Sequence, residues 1–147
     1  MAIPLKARPV QNDLGIVGWG WAGRYGLERY LYTLHRLTGL GVLFYFVLHV
    51  FATSTRIFGE PAWKATMGFL HHPVFRFGEY LVFAGFVFHA LNGVRLIFQE
   101  LGYLLGKPTP PVFPYSYGLR DFRPVALLVV VLAVVGAFVA FYDMFLV

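Results

Sequence analysis

Three long apolar stretches dominate the alternation of hydrophobic and polar positions along the chain. Residues 37–55 run for 19 positions without a formal charge, between Arg36 and Arg56, and residues 124–142 run for another 19 between Arg123 and Asp143. The middle stretch is shorter between charges, residues 80–94 between Glu79 and Arg95, but apolar and aromatic residues extend it to about 74–105. Each approaches the ~20 residues an α-helix needs to cross the hydrocarbon core of a bilayer. In lipid a segment must pair its own backbone polar groups, so spans of this kind are helical. The pattern predicts an all-α integral membrane protein with three transmembrane helices, at about residues 31–57, 74–105 and 123–146. An N-terminal interfacial segment, residues 1–30, precedes them and carries Trp19, Trp21 and Tyr25, residue types that favour the membrane–water boundary. Gly59-Glu60-Pro61 and His72-Pro73 punctuate the first linker, and Gly106-Lys107-Pro108-Thr109-Pro110-Pro111 closes the second span, because that proline density cannot continue a helix. No repeat or low-complexity tract divides the chain, which reads as a single membrane-anchor domain, residues 1–147.

Composition agrees. The chain is 59% hydrophobic and 13% charged over 147 residues, with a mean hydropathy of +0.67. A soluble domain of this size could not hide that much apolar surface. Cysteine is absent, which removes disulfides, thiolate-bound iron–sulfur clusters, cysteine-ligated zinc and covalently attached haem from this chain. The net charge of +5 lies at the span edges and reads as membrane-edge charge, not as a nucleic-acid footprint. The first ten residues carry Lys6 and Arg8 without an apolar core, unlike a signal peptide, and lack the Arg- and Ser-rich character of a transit sequence, which points to a prokaryotic cell (inner) membrane. Nine Lys and Arg lie on the side of the N-terminus and second linker against three on the other. The positive-inside rule then places the N-terminus in the cytoplasm and the C-terminus outside.

Histidines inside such spans carry the candidate chemistry, since an ionisable side chain in hydrocarbon is a functional-site hypothesis by default. His89 lies well inside the second span, and at 100° per residue Gly85, Gly93, Leu96 and Glu100 share its face. That arrangement fits a helix–helix contact of the small-xxx-small type and equally an imidazole ligand to a porphyrin, with open space beside the ring. Spacing leaves the two open. His49 follows His35 by 14 residues, about 40° short of four turns and ~21 Å along the axis. Thr38, Thr53 and Arg56 fall on its side, where Arg56 could reach an acidic group. His49 is either a ligand or a histidine bonded to a neighbouring helix. His35 and Arg36 mark the inner end of the first span, with Tyr30, Tyr32 and Thr33 adding hydroxyls to a possible surface pocket; plain snorkelling also suits Arg36. His71 and His72 read as a solvated loop pair. The third span holds neither histidine nor internal charge and reads as a packing or lipid-facing helix.

Two motifs carry a family resemblance. Tyr32-Thr33-Leu34-His35-Arg36-Leu37-Thr38-Gly39 resembles the Ser-Ile-x-His-Arg-x-Thr-Gly signature of the cytochrome b membrane-anchor subunits of succinate dehydrogenase. His89-x-x-x-Gly93-x-Arg95, with Glu100 and Gly102, resembles the second signature, His-x-x-x-Gly-x-Arg-His-x-x-x-Asp-x-Gly. The two occur in the right order and in the right spans. Tyr32 stands where the family has serine, Leu96 where it has histidine, and Glu100 where it has aspartate. The resemblance implies that His89 is an axial ligand of haem b, that His35 and Arg95 lie near haem propionates, and that Arg36, Tyr32 and Thr33 belong to a quinone-reduction site; Arg56, by its spacing from His49, is a further candidate for a propionate. His49, eleven residues after Thr38, is similar to a ligand position of the two-haem succinate and fumarate enzymes. The resemblance then implies two haems shared with a sister anchor subunit in preference to one, in a helix bundle that the sister completes. It also implies an iron–sulfur subunit and a flavoprotein subunit, which hold the clusters and FAD, with quinone as electron acceptor and no nucleic acid. A haem-free anchor of a related fumarate reductase and the cytochrome b of another quinone-linked oxidoreductase are the alternatives.

Overall fold

The computed structural model describes residues 15–20, 26–107 and 118–147, and every regular element among them is helical. Lys6, Arg8, Trp21, Arg24, Tyr25 and the prolines at 108, 110 and 111 lie outside the described residues, as does the Trp19 side chain. Two units are distinguished, Met1–Thr33 and Leu34–Val147. In the first, the short helix α1 (Gly15–Gly20) and the beginning of α2 (Leu27–Ser54) are tied by an Arg29 guanidinium that donates to the Gly18 carbonyl at 3.3 Å. Glu28 sits in the first turn of α2, where a carboxylate complements the exposed N–H groups.

Within the second unit, α2 runs on through its apolar stretch and tightens into a 3₁₀ turn, Thr55–Phe58. Gly59, at φ 92°, joins this turn to the next element, a conformation open to glycine at little steric penalty. The chain then enters a helix, α3 (Glu60–Leu70), where the sequence reads as a linker. Pro61 explains the difference. At the first turn of a helix its missing N–H has no partner to lose, so the residue that breaks a helix interior starts one here. The Arg56 guanidinium stacks 4.2 Å over the Trp63 ring and fastens α3 to the 3₁₀ turn. The exposed Glu60–Lys64 pair at 2.7 Å adds little, being open to solvent screening.

His71 and His72 have structural tasks at the next junction. His71 closes α3 by contacting the Met67 carbonyl through Nδ1 at 2.8 Å. His72 is the N-cap of α4 (Pro73–Glu100), accepting from the Val74 N–H at 3.4 Å, with Pro73 in the first turn. The apolar run continues to Leu105, but α4 ends at Glu100. Gly102, at φ 87°, takes the left-handed conformation that closes helices, and the Tyr103 N–H returns to the Phe98 carbonyl.

A second 3₁₀ turn, Gly118–Phe122, leads into α5 (Arg123–Phe145). Helices α4 and α5 form the most extensive pairing of the unit. Ala126, Val129 and Ala133 are buried along one stripe of α5, and Gly136 approaches Val87 so closely that a Cβ there would lie 3.1 Å from Cγ1. Near the C-terminal end of α5, Tyr80 meets Phe141 and Phe145 edge-on at 5.6 and 5.9 Å, and Arg76 lies 5.5 Å over Phe145. Small residues on one stripe and large apolar residues facing outward are what helix pairs need when lipid is the solvent. Three helical segments, Leu27–Phe58, Pro73–Glu100 and Gly118–Phe145, are long and apolar enough to cross a membrane.

Candidate histidine site between the first and second spans

Helix α2 meets α4 at one turn. His35, Thr38 and Gly39 share a face by the i, i+3, i+4 rule, and each finds a partner on α4. The His35 and His89 rings stack at 4.0 Å between centroids and 4° between planes. A Cβ on Gly39 would stand 2.8 Å from His89 Cε1 and 3.3 Å from its Nδ1, so α2 approaches the ring as closely as a bare backbone permits. Thr38 sits over Gly85, and His35 over Gly93, where the corresponding approaches are 3.4 and 3.6 Å. The space that the two glycines open beside His89 is thus filled from α2, a register between helices that spacing along one chain does not contain.

Hydrogen bonds orient the His89 ring. Nδ1 lies 3.0 Å from the His35 carbonyl oxygen and 3.4 Å from Thr38 Oγ1. A carbonyl only accepts, so Nδ1 carries the proton and donates. The Thr38 hydroxyl donates to the α2 backbone, to the Leu34 carbonyl at 2.8 Å with the His35 carbonyl at 3.1 Å, which leaves a lone pair of its oxygen to accept from His89. The network makes Nδ1 the proton-bearing nitrogen, so that in the neutral ring the lone pair is on Nε2. The Nδ1 atom of His35 is buried with no hydrogen-bond partner. One turn further along α4, Asn92 is fully buried and accepts from Arg95 Nε at 3.0 Å, while its own Nδ2 donor is unmatched. Asn92 does not stand out in sequence; its position one turn from His89 and three residues before Arg95 is the signal that marks it.

Arg36 is exposed. In the N-terminal unit Tyr32 is exposed, with the Arg29 guanidinium 5.9 Å over its ring, and Thr33 is buried. His49 is exposed, with its ring 5.9 Å from that of Tyr45. Beyond Thr38 the two helices stand apart across a groove of about 360 Å³ lined by Val42, Tyr45, Glu79, Val82, Phe86 and Met144, among others. Arg56 is engaged with Trp63 on α3, and Glu100 is exposed at the end of α4. Among the described residues no three His, Cys, Asp or Glu side chains gather to hold a bare metal ion.

The stacked pair joins the two sequence motifs in one contact. Residues 4–140 match the family described as succinate dehydrogenase/fumarate reductase transmembrane subunit. The chain is also 30% identical over 92 residues to the succinate dehydrogenase hydrophobic membrane anchor subunit of Halobacterium salinarum, an alignment covering 61% of this chain and 71% of that protein.

Proposed function

We propose a function that starts from one fact: the chain belongs to the succinate dehydrogenase/fumarate reductase transmembrane subunit family. It is a multi-pass membrane anchor of that oxidoreductase complex, and membership implies partner subunits. In the reading favoured here it is a cytochrome b anchor. His89 binds haem b, and Arg36 with Tyr32 and Thr33 helps form the quinone site at the cytoplasmic end of the first span. The partners are an iron–sulfur subunit docked on that face, the flavoprotein behind it, and a second membrane anchor that completes the bundle.

The observation that carries the haem assignment is the tautomer of His89. A ligating imidazole presents one nitrogen to the metal and donates the other N–H to a carbonyl or carboxylate, and His89 donates Nδ1–H to His35 and keeps Nε2 for a ligand. The unpartnered Nδ1 of His35 and Nδ2 of Asn92 are polar atoms that a propionate, a quinone oxygen or water would satisfy. His35 and Arg95 are the residues to hold a propionate beside His89. His49 serves a second haem whose other ligand comes from the sister anchor, with Arg56, in the 3₁₀ turn after α2, as the cation for its propionate. When bound, haem b supplies a one-electron carrier between the clusters and quinone. The chain's own share is to fix the imidazole, exclude water and present cations to carboxylates.

The expected result of His89→Ala in the assembled complex is loss of a low-spin b-type band from the reduced-minus-oxidised spectrum. An unchanged spectrum sinks the assignment. A haem-free anchor is the second reading, and the filling of Gly85 and Gly93 by Thr38 and His35 favours it, since that contact holds two helices together without a cofactor. Absence of a pyridine-haemochrome signal from the purified complex would select it.

A further inference from the structure

We infer that Thr38 is a positioning residue for His89, sharing the Nδ1 proton with the His35 carbonyl and so setting how strongly the ring donates electrons through Nε2. The inference rests on the haem reading of His89. Three groups on one turn of α2 make the device. The His35 carbonyl has two lone pairs; the helix ladder of α2 uses one, and the other takes the His89 proton at 3.0 Å. Thr38 supplies a second acceptor at 3.4 Å, and its own proton goes to the α2 backbone, to the Leu34 carbonyl at 2.8 Å with the His35 carbonyl at 3.1 Å, so its oxygen keeps a lone pair for His89. Gly39 supplies the gap, since any side chain would drive a Cβ to 2.8 Å from the ring.

These parts act on His89 in different ways. The backbone carbonyl cannot be removed by mutation, so it fixes which nitrogen is protonated in every variant. The hydroxyl is adjustable. Acceptors on the N–H of a ligating imidazole raise its basicity, which favours the oxidised metal, and removal of such a partner typically weakens metal binding 10- to 100-fold. Thr38→Val keeps the shape and deletes the acceptor; Thr38→Ser keeps the acceptor and deletes a methyl. A purely structural threonine would respond to loss of the methyl, whereas a positioning threonine responds to loss of the oxygen.

The test is a redox titration of the b-type band in the intact complex. Thr38→Val is expected to shift the midpoint potential upward and to lower haem retention about tenfold, and Thr38→Ser to restore both. A Thr38→Val potential equal to that of the unmodified complex, or a serine variant that behaves like valine, overturns the inference. His89→Ala run in parallel separates the failures. If the band survives in that variant, the haem reading has failed and takes the inference with it. If the band is lost while Thr38→Val is silent, the positioning role alone is overturned. Should Thr38→Val not assemble, Thr38→Ala takes its place in the same titration: it also lacks the oxygen, so the upward shift is expected of it, and a potential equal to that of the unmodified complex overturns the inference.

Discussion

At the scale of single residues, the contact between α2 and α4 depends on which glycine faces what. Gly39 and Gly93 look alike in sequence, each a small residue near a histidine in an apolar span. In the structure Gly39 lies under the His89 ring, which is held by a stack on one side and two acceptors at Nδ1, while Gly93 has ordinary van der Waals room beside His35. Gly39→Ala is therefore expected to lower complex stability by about 1–3 kcal/mol, as overpacking does, and to reduce the b-type band. Gly93→Ala is expected to stay within about 0.5 kcal/mol of the parent. Thermal unfolding and haem content of the two variants check this; equal effects would mean that the close approach at Gly39 relaxes freely. The sequence makes His89 and its flanking glycines visible, because a 3.6-residue period places them on one face. It does not make His35 visible as their occupant, because the pairing depends on how two helices align. Asn92, polar and unremarkable in a span that also holds Arg95, is legible only as part of that buried pair.

At the scale of elements, hydropathy finds the spans and mistakes the material between them. Pro61 and Pro73 read as interruptions, yet both occupy the first turns of helices, so one proline opens α3 and the other opens α4 behind the His72 cap. The same pattern carries the second span to Leu105, whereas the backbone turns at Gly102, since hydropathy reports environment and not helix termination. The α4–α5 pair shows what hydropathy leaves out altogether, the packing stripe. Every residue of 125–142 is apolar or small, so burial of Ala126, Val129 and Ala133 follows from size, not polarity. Gly136 sits on Val87 with no spare volume. Gly136→Leu is expected to loosen the pair by about 1–3 kcal/mol, read as a lower aggregation temperature of the complex in detergent. Wild-type behaviour would show that α5 can shift without loss.

At the scale of the whole molecule, lipid and a sister anchor ask for the same apolar surface, so composition does not separate the outward faces. His49 does. It is exposed on the α2 face that also carries Thr38, next to Tyr45 and near the groove bounded by α4 and α5. If it ligates a second haem, His49→Ala is expected to halve the haem content per complex and leave the His89-dependent band in place. Haem per flavin measured on both variants checks this, and an unchanged ratio makes His49 a packing residue.

The glycine-lined crossing has a mechanical consequence. Because α2 touches α4 tightly over the one turn from His35 to Gly39 and stands off beyond it, that turn is a fulcrum and the rest of α2 a lever. Ten residues separate Gly39 from His49, about 15 Å of helix. A rigid tilt of about 10° about the crossing would carry His49 through roughly 2.6 Å along that arm while the stacked imidazoles at the pivot hardly move. Support for α2 is thus concentrated at its near end, and His49 lies on the arm that this contact does not brace.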